Sequence, residues 1–157
     1  MESTREQLDH HRFFKKMPAE LLDRLADCAE RVSFDEDEEI LTEGSPANSF
    51  YAVLSGRVSV GLRTPNRGLA TIETLHSGDI LGWSWLIPPY RWNFDAIALE
   101  PVDAIEFHAD RLRPFMDSDP QAAHALILGI AAVMEERLQS AGIRLLDLYG
   151  GNHDASS

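Results

Sequence analysis

The sequence predicts a mainly β domain with helices at both ends. Between Val32 and Phe107, short β-rich runs are separated by glycine- and proline-bearing turns at roughly 8–12-residue intervals, the pattern of a sandwich or barrel. Before Val32 and after His108 the apolar residues recur at helical spacing. The chain has 157 residues, 44% of them apolar. That suits one domain with a real core.

The first residues, MESTREQLDHH, are polar and charged, so residues 1–12 read as a flexible N-terminus. Phe13, Phe14 and Met17 then precede Pro18, which suits a first helical turn. Leu21, Leu22, Leu25, Ala26 and Ala29 mark one apolar face, and the helix is expected to end near Arg31. Val32 to Phe34 is strand-like. The acidic run Asp35–Glu39 lacks the glycine and terminal glutamate of a calcium loop and reads as a solvated turn.

Glu43 to Asn48 is a turn cluster. Ser49–Leu54 and Arg57–Leu62 flank the tight turn at Ser55-Gly56 as a hairpin, and Leu69–Leu75 continues the alternation after a turn at 65–68. Asp95–Leu99 and Ala104–Phe107 are two more strands around Glu100-Pro101. A short helix spans 109–116, Asp117 to Pro120 breaks it, and a long helix runs from about 120 to 148. Its expected apolar stripe is Ile127, Ile130, Met134, Ala141, Leu145 and Leu148. Residues 149–157 read as a disordered tail.

The net charge is −12 and the pI about 4.8, which excludes the basic face a nucleic-acid binder needs and disfavours an anionic membrane surface. The single cysteine, Cys28, excludes an intrachain disulfide framework. There is no signal-peptide pattern and no membrane-length apolar run, so the expected location is cytoplasmic.

The stretch LHSGDILGWSWLIPPYRWNFDAIA, residues 75–98, carries the densest chemistry. Paired prolines exclude a regular helix or central strand. An irregular, aromatic-rich loop between strands suits a small-molecule site. It equally suits tryptophans that close one end of a barrel.

The order of helix, short strands, short helix and long helix resembles the cyclic-nucleotide-binding domain from about Phe13 to Leu146. The residues that carry the resemblance are EGSPANSFYAVLSG (43–56) and LHSGDILG (75–82). Gly44, Gly56, Gly78 and Gly82 fall at the family's turn positions. The resemblance implies a double-stranded β-helix, or jelly-roll barrel, over about 32–107 within a domain spanning 13–148. It also implies a regulatory domain and not an enzyme.

In nucleotide-binding members, a glutamate after the cassette glycine accepts the ribose hydroxyl and an arginine neutralises the cyclic phosphate. Here Trp83 follows Gly82, and an indole cannot accept that hydrogen bond. The arginine position falls near Asn93, beside Asp95, and Arg91 is the one cation within the cassette. The candidate ligand-binding residues are therefore Gly82, Trp83, Ser84, Trp85, Leu86, Arg91, Trp92, Asn93 and Asp95. The ligand is a cyclic nucleotide or another small planar molecule that stacks on indole.

The expected function is a stand-alone sensor that acts through a partner protein or through a homodimer formed by the C-terminal helix. No helix-turn-helix is expected after that helix, and no direct nucleic-acid or membrane contact. The alternative is an adaptor or structural domain with a non-functional pocket. A cupin-like metal enzyme would need clustered histidines and a carboxylate. His10, His11, His76, His108, His124 and His153 show no such H-x-H pattern, so no catalytic or metal set is assigned.

Overall fold

The computed structural model describes residues 3–66 and 68–155, with side chains through residue 141. Eight antiparallel strands form two four-stranded sheets. β1 (Ala29–Phe34), β8 (Val102–His108), β3 (Ser49–Ser55) and β6 (Ile80–Leu81) make the first sheet, in that order. β2 (Glu39–Leu41), β7 (Asp95–Ala98), β4 (Val58–Thr64) and β5 (Gly68–Leu75) make the second. Apart from the β4–β5 hairpin, successive strands switch sheets, the connectivity of a jelly roll; β3 and β4 lie in different sheets, so the hairpin expected across Ser55-Gly56 is instead a crossover between sheets. The sheets retain edge strands at β1, β6, β2 and β5 and do not close on one another.

The period-2 alternation of β3 and β8 directs Phe50, Ala52, Ile105 and Phe107 to one face of the first sheet, all fully buried. Phe107 stacks on Phe50 at 4.5 Å and meets Phe14 at 5.3 Å; Phe50 in turn stacks on Trp85 at 5.0 Å. This aromatic column anchors both the N-terminal segment and the cassette to one sheet face. Such pairs add attraction beyond their buried area.

Several sequence expectations are corrected at the chain ends. The N-terminal segment is not wholly flexible: α1 spans Thr4–His10, capped by the Ser3 hydroxyl, which accepts from the Glu6 amide at 3.2 Å. Leu8 of α1 is fully buried, and Arg5 pairs with Asp9 and with Asp23 of the next helix. α2 spans Ala19–Asp27 and stops at Cys28, earlier than expected. Cross-strand pairing with β8 takes Ala29–Arg31 into β1, so tertiary hydrogen bonding overrides their helical spacing.

At the other end, α3 (Ala109–Ser118) and α4 (Pro120–Ala155) follow. α4 continues past Leu148 into the segment expected to be a disordered tail; residues 156 and 157 lie outside the described residues. Its buried positions are Ala122, Ala123, Leu126 and Ile130, with Val133 and Met134 packed beside them. Ile127 therefore points away from the core, one residue out of the expected phase, and Leu145 and Leu148 fall beyond the described side chains. No helix among the described residues is long and apolar enough to cross a membrane.

Candidate ligand-binding site

The cassette begins where β6 ends. Gly82 adopts φ +96°, a left-handed conformation that favours glycine, and a Cβ there would lie 2.7 Å from the Trp92 ring. The backbone of Trp92 is fixed from the turn at 43–48: its amide donates to the Ser45 carbonyl at 3.0 Å, and the Gly44 amide donates to its carbonyl at 2.9 Å. The indole of Trp92 thus occupies the space directly over Gly82. The remaining cavity there, lined by Gly82, Ser84, Trp92 and Asn93 among others, is about 40 Å³. That is too small for a nucleotide.

The other candidate residues divide. Ser84–Leu86 forms a single 3₁₀ turn with Ser84 and Trp85 buried. Trp85 is a core side chain stacked on Phe50, and its Nε1 has no hydrogen-bond partner among the described residues. Leu86 packs against the core. Arg91 is exposed, and its Nη1 donates to the Gly44 carbonyl at 2.7 Å, which ties the loop down. Asn93 is exposed at the rim of the small cavity.

Asp95 is 2% exposed. Its Oδ1 accepts from the Glu43 amide at 2.8 Å and its Oδ2 lies 3.0 Å from Arg63 Nε. It is a structural tie between β7, β4 and the turn before β3. The Pro88-Pro89 loop is clasped by α3: Arg113 donates to the Trp85 carbonyl at 2.8 Å and lies 4.8 Å from the Tyr90 ring centre.

Trp83 faces the apolar cleft, whereas Trp92 borders a smaller cavity of about 290 Å³ on the other side of the cassette turn. The cleft, about 450 Å³, runs between the second sheet and α4 and is lined by Val60, Ile72, Trp83, Phe94, Met134 and Leu138 with few polar groups. Arg137 of α4 forms its inner wall. The guanidinium lies 4.9 Å from the Trp83 ring centre, 3.3 Å from Glu73 of β5, and donates to the Ile80 carbonyl. Its side chain is largely buried, and that burial lowers its pKa, opposed by Glu73.

Arg137, Glu73, Phe94, Met134 and Leu138 were not among the sequence candidates. One signal for Arg137 existed: it falls at helical spacing from Ile130, Met134 and Ala141, a charged residue inside an apolar stripe. His108, isolated in sequence, meets Glu30 and Glu106 on the first sheet, with ligand-type atoms within 4.8 Å of one another.

A jelly roll with helices before and after it, a glycine-marked cassette, and a cleft roofed by the last helix define a ligand-binding domain. The family model for the cyclic nucleotide-binding domain matches residues 31–119, more than half of the chain. The chain belongs to that family. A protein from Geobacter metallireducens GS-15 described as cyclic nucleotide-binding superposes with a TM-score of 0.78 at 30% identity, over 88% of this chain and 99% of that one. A cyclic nucleotide-binding domain from Methylobacillus flagellatus KT shares the fold, with a TM-score of 0.76 at 22% identity over 92% and 82% of the two chains. The CRP-like cAMP-activated global transcriptional regulator of Mycobacterium tuberculosis H37Rv is 25% identical over 117 residues, 74% of this chain and 50% of its own. The chain spans about half the length of that curated relative. The family is one of regulatory ligand-binding domains.

No arginine of the cassette faces the cavity at Gly82, an indole follows the glycine, and Trp92 fills the cradle.

Proposed function

We propose that this domain is a regulatory sensor for a small, flat, largely apolar ligand that enters the cleft between Trp83 and α4. The observation that carries this reading is the contrast in volume between two adjoining cavities that share Val60, Trp83, Phe94 and Arg137. The cradle beside Gly82 is about 40 Å³, whereas the apolar cleft beside Trp83 is about 450 Å³, within the range of ordinary small-molecule sites. Arg137 links the cleft to output, because one α4 side chain touches the cassette at Trp83 and Ile80 and the sheet at Glu73. A ligand stacked against Trp83 displaces or tightens that contact and so biases α4.

The signal leaves through a second copy or a partner protein. α4 exposes Ile127 and Leu138, three helical turns apart on nearly one line, the latter 74% exposed. A homodimer through this row is the simplest arrangement, and Leu138→Glu should shift the sedimentation coefficient to that of a monomer. The acidic charge and the single buried thiol fit a cytoplasmic protein that touches neither nucleic acid nor membrane directly.

The test is a titration with N-phenyl-1-naphthylamine, an uncharged planar fluorophore, monitored by energy transfer from tryptophan, with cyclic AMP as competitor. Saturable binding that Trp83→Ala weakens and cyclic AMP does not displace supports the reading. Micromolar binding of cyclic AMP would overturn it. A second reading, an adaptor with a closed pocket, is favoured by Trp92 filling the Gly82 cradle. That reading requires that no planar probe bind at all.

A further inference from the structure

We propose that Glu30, Glu106 and His108 form a site for a first-row divalent metal ion of the zinc or manganese class, on the first sheet and away from the ligand cleft. The register of β1 against β8 places Glu30 directly opposite Glu106. Like charges directly opposite on paired strands repel and destabilise the sheet. His108 lies two residues beyond Glu106 on β8, on the same face, and its Nε2 is 2.9 Å from Glu30 Oε1. The three side chains bring one ligand-type atom each to within 4.8 Å of one another. A divalent cation would neutralise the two carboxylates and convert a repulsive cross-strand pair into a chelate.

A second observation supports the site. Glu106 is held from behind by β3: Ser49 Oγ donates to its Oε2 at 2.8 Å and Tyr51 Oη donates to the same oxygen at 3.2 Å. Ser49 is buried, so its hydroxyl is fixed against Glu106. Hydrogen bonds of this kind orient a ligating carboxylate and leave its second oxygen for the metal. A cavity of about 290 Å³ opens onto Ser49, Tyr51 and Glu106, on the side of Glu106 held by the two hydroxyls.

The donor set selects the ion. Two carboxylates and an imidazole suit zinc or manganese, whereas magnesium and calcium favour oxygen ligands throughout. Access is open, since the Glu30 side chain is 60% and that of His108 27% exposed. For zinc bonds of about 2.0–2.2 Å the donors must sit about 3.3 Å apart. His108 and Glu30 would therefore open by a few tenths of an ångström, and donors that lie up to 4.8 Å apart would close by up to about 1.5 Å through side-chain rotation. The competing explanation is a metal-free ion pair between Glu30 and His108.

The test is calorimetric titration of tag-free, chelator-treated full chain with zinc chloride, alongside Glu106→Gln, Glu30→Gln and His108→Gln. One site per chain is expected, with zinc raising the unfolding midpoint and each substitution weakening binding by about tenfold or more. Millimolar magnesium should not compete. Because a substitution can disturb the sheet, manganese is also added to isotope-labelled wild-type protein. Paramagnetic broadening centred on residues 30, 51, 106 and 108 is the supporting outcome. Absence of stoichiometric binding, affinity unchanged in all three variants, or broadening centred elsewhere would each overturn the proposal and leave the ion pair as the explanation.

Discussion

The contact between Gly82 and Trp92 closes the cradle that the family uses, and it can be measured. Alanine at position 82 must adopt φ +96° and must place its Cβ 2.7 Å from two atoms of the Trp92 ring. Comfortable carbon–carbon contact begins near 3.5 Å. Trp92 cannot easily yield, since it is 8% exposed and its backbone is bonded on both sides to the 44–45 turn. The left-handed backbone costs about 1–2 kcal/mol for a non-glycine residue. Overpacking adds about 1–3 kcal/mol, so Gly82→Ala should lose about 2–5 kcal/mol in all.

Gly44→Ala is the control. Gly44 has φ +85°, and a methyl group added there would meet nothing within 4 Å, so this variant should lose only about 1–2 kcal/mol. The difference corresponds to a melting point about 2–12 °C lower for Gly82→Ala than for Gly44→Ala. Urea unfolding followed by far-UV circular dichroism gives both values without interference from tryptophan emission. In a Trp92→Leu background the extra penalty at position 82 should largely vanish, as expected of residues in direct contact. Equal losses for the two glycines, or an undiminished penalty beside Leu at position 92, would refute the filled cradle.

Other outcomes follow from single contacts. Asp95→Ala leaves the Glu43 amide and Arg63 without their buried acceptor and should destabilise by about 1–3 kcal/mol, while Asp95→Asn keeps an acceptor and should lose less in the same urea assay. Arg113→Ala removes the donor to the Trp85 carbonyl and the cation over Tyr90, and should speed proteolytic cleavage within residues 86–91 before global unfolding. His11 accepts the Phe13 amide on Nδ1 and therefore donates from Nε2 to the Val53 carbonyl, which requires the neutral ring. Burial lowers its folded pKa below the ordinary value of about 6.5. The unfolded chain then binds the extra proton, so this contribution is complete above about pH 6.5 and is lost as pH falls through the folded pKa. His11→Asn should flatten the urea midpoint measured between pH 7.5 and 5.

The particular residues show where sequence was enough. Alternation in Ser49–Leu54 and Leu69–Leu75, with turn glycines at 44, 56, 78 and 82, specified a β-sandwich or barrel because strand period and left-handed turns are local properties, and the family resemblance narrowed that to a jelly roll. At Trp83 the sequence was enough to say that the residue after Gly82 brings no side-chain acceptor, since an indole has none whatever surrounds it. The helix expected through Arg31 was lost to β8, a partner more than seventy residues away that no local window contains.

The site divided along the same line. Nine cassette residues were named from sequence, but only packing revealed that Trp85 is core, that Trp92 plugs the cradle, and that Asp95 is consumed by Arg63. Arg91, the cation nearest in sequence, ties a loop; Arg137, some fifty residues further on, reaches Trp83 because α4 folds back over the second sheet. Glu30, Glu106 and His108 likewise meet through strand register. Sequence determines what each side chain can donate, accept or bury. Which of those capacities share a cleft is decided by long-range strand pairing and by how the last helix docks.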